Sequence, residues 1–235
     1  MLFDIISGNK DALISVLLSL PVILFSLSFH EAAHGWVANK LGDPTAKNLG
    51  RLTLNPIKHL DPIGAVAMLI FGYGWAKPVP INTRNFDNPR KGMALTGIAG
   101  PISNLILGLI SSVLSVVSDL VFWKASFAGL DSNALLIINI IALFFYISAI
   151  LNFGLMAFNL IPVPPFDGSR FFYILLPSKW YFKVMKYEQT VMIVILVAFL
   201  VLSRAGYSPI SYIANGLYNL ISEPLLNLGS KLLFT

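Results

Sequence analysis

The sequence has 235 residues, of which 56% are hydrophobic and 11% are charged. Soluble domains carry about a quarter charged residues, so this composition excludes an ordinary soluble domain and predicts a membrane protein. There is no cysteine, which excludes disulfides and thiolate metal sites and leaves His, Asp and Glu as the strong metal ligands. The net charge of +5 fits the basic cytoplasmic loops of a membrane protein, and we expect no nucleic-acid partner.

Four apolar runs are predicted to cross the membrane, since a span needs about 20 apolar residues. The first covers residues 12–29, with Pro21 as a predicted kink and His30 at its end. The N-terminus lacks the pattern of a cleavable signal peptide, so this run should remain in the mature protein. The others lie at 93–118, 132–166 and 190–203. Prolines after Leu160 predict that the third helix ends near that residue.

Two further segments have less definite patterns. Residues 207–222 are uncharged but contain Pro209, which allows either a fifth span or a helix on the membrane surface. Residues 62–76 are short and rich in Gly and aromatics, which favours a small re-entrant or interfacial segment, with β structure allowed. The predicted fold is an all-α integral membrane protein, a polytopic bundle of about four to six transmembrane helices. We expect one domain over 1–235, with a catalytic core at about 11–175 and C-terminal helices at about 187–235.

Loop charge predicts the orientation. Positive charges collect between the first and second runs and between the third and fourth, at Lys40, Lys47, Arg51, Lys58, Lys77, Arg84, Arg90, Lys91, Arg170, Lys179, Lys183 and Lys186. The remaining connection has only Lys124, against Asp119 and Asp131. The positive-inside rule therefore puts the N-terminus outside and the ends of the first and third spans toward the cytoplasm. We expect a multi-pass cell-membrane protein with its site on the cytoplasmic side.

The residues His30-Glu31-Ala32-Ala33-His34 carry the clearest chemistry. Positions i and i+4 share one helix face, so the two histidines can bind one metal while Glu31 acts on a water beside it. Ionisable residues at membrane depth are costly and usually functional. The alternative is that the span ends at Phe29 and that the histidines are merely interfacial.

A catalytic zinc needs a third protein ligand and an open position for water. Asp167 is the best candidate, because it follows the third span in the Pro-rich sequence PVPPFDG and is the only acid in that stretch. Its alternative is a turn-forming Asp-Gly pair. His59 and Asp61, in LNPIKHLDPIG, are the rival ligands. A site with two His and one Asp can also take other divalent ions.

Two motifs in order, FHEAAHGW at 29–36 and NLIPVPPFDG at 159–168, resemble the paired motifs of the site-2 protease family of intramembrane zinc metalloproteases, peptidase family M50. The similarity covers most of residues 20–175 and includes GPISN at 100–104 and GWAKPVPIN at 74–82. The resemblance implies that His30, His34 and Asp167 bind one zinc ion and that Glu31 is the general base. It implies a minimal form of the family, without a PDZ or CBS domain.

The same resemblance suggests that Asn159 holds the substrate carbonyl or oxyanion, for which an amide donor is suited. The alternative is a helix cap or interhelical hydrogen bond. Asn104 and Asn152 are weaker candidates for the same role. The segment Lys77–Asn82 (KPVPIN) is interpreted as an edge strand that holds an unwound substrate by strand addition, or else as a Pro-rich interfacial loop.

The leading hypothesis is therefore a zinc metalloendopeptidase that hydrolyses peptide bonds in or near transmembrane segments, as in regulated intramembrane proteolysis. The expected partners are transmembrane protein substrates, shortened beforehand by another protease as the resemblance implies, and the lipid bilayer. The alternatives are a metal-binding membrane transporter and a catalytically inactive scaffold. The sequence predicts no oligomeric state, substrate identity or cleavage position.

Overall fold

The computed structural model describes residues 10–71, 74–172, 174 and 187–234, which are mostly helical. In chain order the helices are α1 (Lys10–Lys40), α2 (Thr45–Asn48), α3 (Pro56–His59), α4 (Pro62–Phe71), α5 (Pro89–Phe127), α6 (Ser132–Asn159), α7 (Asp167–Phe172), α8 (Glu188–Arg204) and α9 (Pro209–Phe234). A short 3₁₀ turn covers Thr83–Asn85. The described part of the chain contains no β-strand, so the all-α prediction is confirmed there.

Three described helices, α1, α5 and α6, are long and apolar enough to cross a membrane. Helices α1 and α5 contain the predicted runs at 12–29 and 93–118. Helix α6 covers the third run, 132–166, as far as Asn159, next to the predicted helix end near Leu160. Residues Thr190–Arg204 and Pro209–Leu232 meet the same criterion only as a pair, bent by 73°. The described residues thus supply three candidate spans, one fewer than the lower end of the predicted range, or four if the bent pair is one span.

Two helices extend well past the predicted runs. We expected the first span to end at His30, but α1 continues to Lys40, because Ala32, Ala33 and their neighbours favour helix as much as the apolar run does. It ends near Gly42, which has a φ of 102°. Helix α5 has 39 residues, or about 58 Å at 1.5 Å each, so it must extend beyond a hydrocarbon core of about 30 Å.

The connection between α1 and α5 contains the predicted re-entrant segment. Helix α4 has 10 residues, too few for a crossing. Leu60 and Ala76 then form an isolated antiparallel bridge, and Lys77 N–H donates to the His59 carbonyl at 2.8 Å. The two ends of the segment that contains α4 therefore lie side by side, as a re-entrant or interfacial segment requires. Lys179, Lys183 and Lys186, which contributed to the predicted orientation, lie outside the described residues.

Helices α5 and α6 form the most extensive pair, and α1 and α9 each pack against both of them. A cluster of Ala149, Phe153, Ala214 and Tyr218 joins α6 to α9. Gly108 of α5 makes room for the Phe153 ring, because a Cβ at position 108 would lie 2.6 Å from Phe153 Cε1. This close packing holds α5 and α9 against α6.

Asp43, fully buried just after α1, fastens the far end of the connection. Its Oδ1 accepts from the Thr45 hydroxyl, from Asn85 Nδ2 at 2.7 Å and from Thr45 N–H at 3.1 Å, and its Oδ2 accepts from Asn82 N–H at 2.7 Å. Burial alone would raise the pKa of the Asp43 carboxyl, but these hydrogen bonds outweigh it and hold that pKa below its ordinary value. Asp43 thereby positions the segment that precedes α5.

We expect Asp43→Asn to destabilise the fold by about 1–3 kcal/mol, because an amide has one acceptor oxygen and cannot accept from all of these donors. A carboxyl with a lowered folded pKa contributes its stability above the unfolded value of about 3.9 and loses it as pH falls further. Thermal unfolding in detergent should show a wild-type advantage that is constant above about pH 5 and shrinks below about pH 4. The exposed Asp87→Asn is the control. Equal unfolding of the two variants at neutral pH would contradict this role.

Candidate metal centre

His30 and His34 lie one turn apart on α1, and Asp167 begins α7. The Nε2 atoms of the histidines are 3.0 Å apart, and Asp167 Oδ2 lies 2.9 Å from His30 Nε2 and 3.1 Å from His34 Nε2. All three residues are buried, with 4% to 8% of their surface exposed. Among the described residues this is the group of side chains that can hold a metal ion.

The protonation of His34 follows from its partner. Its Nδ1 lies 2.6 Å from the Thr96 carbonyl, which can only accept, so Nδ1 carries the proton and Nε2 presents a lone pair. Asp167 contributes a carboxylate oxygen to the same point. On its other side, Asp167 Oδ1 lies 3.9 Å from Arg170 Nη1, which balances part of the carboxylate charge.

The arrangement fits zinc. The three donor atoms are 2.9 to 3.1 Å apart, within a few tenths of an ångström of the separation of about 3.3 Å in a tetrahedral site with ligands at 2.0–2.1 Å. Two imidazole nitrogens and one carboxylate oxygen match catalytic zinc sites, which keep a fourth position open. Convergent acceptors in a buried place also need a cation to offset their mutual repulsion.

Two glycines make this convergence possible. A Cβ at Gly100 of α5 would lie 2.4 Å from His34 Nε2 and 2.5 Å from His30 Nε2, so only glycine leaves space in front of the donor atoms. A Cβ at Gly168 would lie 2.4 Å from the Leu160 carbonyl oxygen, so Gly168 lets α7 start close to the end of α6. Asp167-Gly168 therefore opens a helix here and does not form the turn given as its alternative.

Glu31 lies beside the histidines with 9% of its surface exposed. Its Oε2 accepts from the backbone N–H of Val79 at 2.8 Å, so the segment Lys77–Asn82 runs along the centre. Arg51 Nη2 donates to the carbonyl of Lys77 at 2.7 Å and more weakly to that of Pro78 at 3.3 Å. Residues 77–82 have no regular secondary structure, so the predicted edge strand is not formed in the structure.

Other predicted candidates lie elsewhere. His59 is buried, with Nε2 2.8 Å from the Thr53 carbonyl, and Asp61 Oδ1 accepts from Gly64 N–H at the start of α4. Neither belongs to the metal-holding group formed by described residues. Asn159, the last residue of α6, donates from Nδ2 to the Leu155 carbonyl at 3.0 Å, so its substrate role stays a prediction.

Sequence reasoning missed Thr96, Gly100 and Arg170 as parts of this centre. Thr96 acts through its backbone carbonyl, which no side-chain pattern reveals. Gly100 belongs to the GPISN segment that carries the family resemblance, but its contribution is empty space. Arg170 was read only as a loop charge, although its spacing from Asp167 is i+3 in the short helix that they share.

A family model described as Peptidase family M50 matches residues 19–203. The chain belongs to peptidase family M50. Three relatives bear names of zinc metalloproteases: YwhC of Bacillus subtilis (strain 168), a protein of Methanocaldococcus jannaschii, and Rip2 of Mycolicibacterium smegmatis. Their identities to this chain are 44% over 180 residues, 30% over 161 and 28% over 151. No solved structure matches.

The alignments cover 75%, 68% and 62% of this M50 chain and 77%, 34% and 52% of the relatives, in the same order. The family match, the names of the three relatives and the group of two histidines and one aspartate all indicate a zinc-dependent protease. The protein is a membrane zinc metalloprotease, and the predicted enzyme class, cofactor and bilayer environment are confirmed.

We expect Gly100→Ala to weaken zinc binding by roughly 100-fold or more, because the new methyl group would lie against the Nε2 atoms of both histidines. Mutating a residue that only hydrogen-bonds a metal ligand typically lowers metal affinity by about 10–100-fold, and this methyl group would touch the ligand atoms themselves. The zinc dissociation constant is measured by competition with a chromogenic chelator. Gly216→Ala, in α9 with no atom within 4 Å of the added Cβ, is the matched control and should bind as wild type. Wild-type affinity in the Gly100 variant would show that this glycine does not face the metal.

Proposed function

We propose that this M50 protease is an endopeptidase that cuts peptide bonds in or near transmembrane segments of other membrane proteins, as in regulated intramembrane proteolysis. The observation that carries the proposal is the placement of the donor group: two of its members belong to α1, a candidate span, and it is enclosed by α5 and α7. A centre built on membrane helices acts where soluble proteases do not reach.

In this proposal His30, His34 and Asp167 hold the zinc ion. When bound, zinc acts as a Lewis acid that acidifies water and polarises the scissile carbonyl. Glu31 takes a proton from the attacking water and passes it to the leaving amine. The Val79 N–H bond fixes the direction of the Glu31 carboxylate, so the base is oriented before substrate arrives.

Asn159 is proposed to hold the substrate carbonyl or the developing oxyanion. It ends α6 eight residues before Asp167 and is only half-buried. Its amide now donates to Leu155, so this role requires a side-chain rotation that exchanges the helix carbonyl for the substrate oxygen.

The segment Lys77–Asn82 is proposed to receive the unwound substrate. Pro78 and Pro80 have no N–H groups, and Val79 N–H is engaged by Glu31. Ile81 N–H has no partner among the described residues and is left to pair with a substrate carbonyl. Strand addition at this position would bring a peptide beside the general base.

The chain is further proposed to form one domain in the cell membrane, with its core at about 11–175 and the centre toward the cytoplasm. The basic loops between the predicted spans support this orientation. Neither the transporter nor the scaffold alternative has a specific observation in its favour, since the chain belongs to a peptidase family and Glu31 is in place.

Glu31→Gln should retain zinc and lower cleavage by about 10²–10⁴-fold, because the amide fills the same space but cannot act as a base. The assay uses a single-span membrane protein with terminal tags, reconstituted with the purified enzyme in liposomes, and the cut position is read by mass spectrometry. Glu223→Gln, exposed on α9, is the control. Cleavage by the Glu31 variant at the wild-type rate, or cuts confined to regions far from the span, would contradict the proposal.

The orientation can be tested directly, because the chain has no cysteine to remove. Single cysteines at Ser126 and at Lys58, both exposed, are treated with a membrane-impermeant maleimide in intact cells. We expect labelling at 126 without permeabilisation and at 58 only after it, with denatured samples giving total labelling at both. The opposite result would place the centre toward the outside.

A further inference from the structure

A chain of buried amides connects His30 to the centre of the helix bundle. His30 Nδ1 lies 2.5 Å from Asn104 Oδ1 on α5, and Asn104 Nδ2 donates to Asn152 Oδ1 on α6 at 2.9 Å. Asn152 Nδ2 in turn donates to the Ser148 carbonyl at 2.8 Å. Asn104 and Asn152 have 0% and 1% of their surface exposed, so water cannot replace these partners. This series of hydrogen bonds joins α1, α5 and α6.

The direction of this chain is fixed at its far end. The Ser148 carbonyl can only accept, so Asn152 must present its NH₂ group there and its oxygen to Asn104. Asn104 must then donate to Asn152, which leaves its own oxygen facing His30. An oxygen at that position requires a proton on His30 Nδ1.

Reversing either amide is costly. A turned Asn152 would set its oxygen against the Ser148 carbonyl, and a turned Asn104 would set its oxygen against that of Asn152. Each reversal leaves buried groups without partners, at about 1–3 kcal/mol per group. The orientation that a backbone carbonyl imposes on α6 is therefore transmitted to α1.

We propose that Asn104 and Asn152 are positioning residues that hold His30 with Nδ1 protonated and with the Nε2 lone pair directed at the metal. This rests on the proposed role of His30 as a ligand. His34 obtains the same tautomer directly from the Thr96 carbonyl, whereas His30 obtains it through two side chains. The amides considered for the oxyanion are thus engaged with each other and act through His30.

Asn104→Leu removes the acceptor while keeping similar volume, and we expect the zinc dissociation constant to rise about 10–100-fold. Asn152→Leu acts only by freeing the Asn104 amide, so its effect should be smaller. Because the two residues act in series, the double variant should be no weaker than Asn104→Leu alone. Additive losses would show independent structural effects and would overturn the proposal.

Two comparisons separate positioning from general damage to the fold. Asn104→Asp keeps an acceptor at His30 and should bind zinc much more tightly than Asn104→Leu. Ser115→Ala removes another buried interhelical bond, to Tyr218 Oη at 3.1 Å, and should leave zinc affinity unchanged. The proposed positioning of His30 by Asn104 and Asn152 is wrong if Asn104→Asp loses as much zinc affinity as Asn104→Leu. It is also wrong if Ser115→Ala loses as much zinc affinity as either of them.

The tautomer itself is observable without metal. The chain has three histidines, so ¹⁵N solid-state NMR of histidine-labelled, metal-free protein in liposomes should resolve them. His30 and His34 should be protonated at Nδ1 and His59, which faces the Thr53 carbonyl through Nε2, at Nε2. Asn104→Leu should change one Nδ1-protonated signal and leave the other two. An unchanged spectrum would overturn the positioning role of Asn104. It would leave the proposed protease function intact, provided that the wild-type protein still cleaves its substrate in a zinc-dependent way.

Discussion

Three acceptor atoms meet inside the bundle at separations of 2.9 to 3.1 Å, and the rest of the structure is arranged around that contact. Two imidazole lone pairs and a carboxylate oxygen repel one another strongly where water is excluded. A cation bound between these atoms attracts all three and offsets their mutual repulsion. A zinc ion bound there would therefore also make this packing favourable, besides supplying the chemistry.

The need to bring three acceptor atoms together accounts for several other features of the structure. Gly100 leaves space in front of them, and Gly168 brings α7 against the end of α6. The Thr96 carbonyl and the Asn104 amide fix the outer nitrogens of the histidines. Asp43 and Arg51 hold the connection that reaches Glu31 through Val79. Because polar groups in a membrane bundle must find partners within the protein, each of these contacts is tightly constrained.

Prediction from sequence succeeded where pattern and chemistry coincide. The apolar runs gave α1, α5 and α6, and the i, i+4 spacing gave the two histidines on one face. Helix ends were less predictable: α1 passes His30 and α5 extends to Phe127, because single ionisable residues such as Glu31, Asp119 and Lys124 end an uncharged run without ending a helix. Thr96 and Gly100 could not be found, since a backbone carbonyl and an absent side chain leave no pattern. The partners of Asn104 and Asn152 depend on three helices meeting, which no single segment encodes.

Two histidines and Asp167 are proposed to surround one zinc ion in this M50 protease, and X-ray absorption at the zinc edge of the purified, zinc-loaded protein tests this arrangement. We expect only nitrogen and oxygen neighbours at about 2.0–2.1 Å, with the scattering pattern of two imidazole rings. A spectrum that shows no imidazole, or the three rings that recruitment of His59 would give, would contradict it.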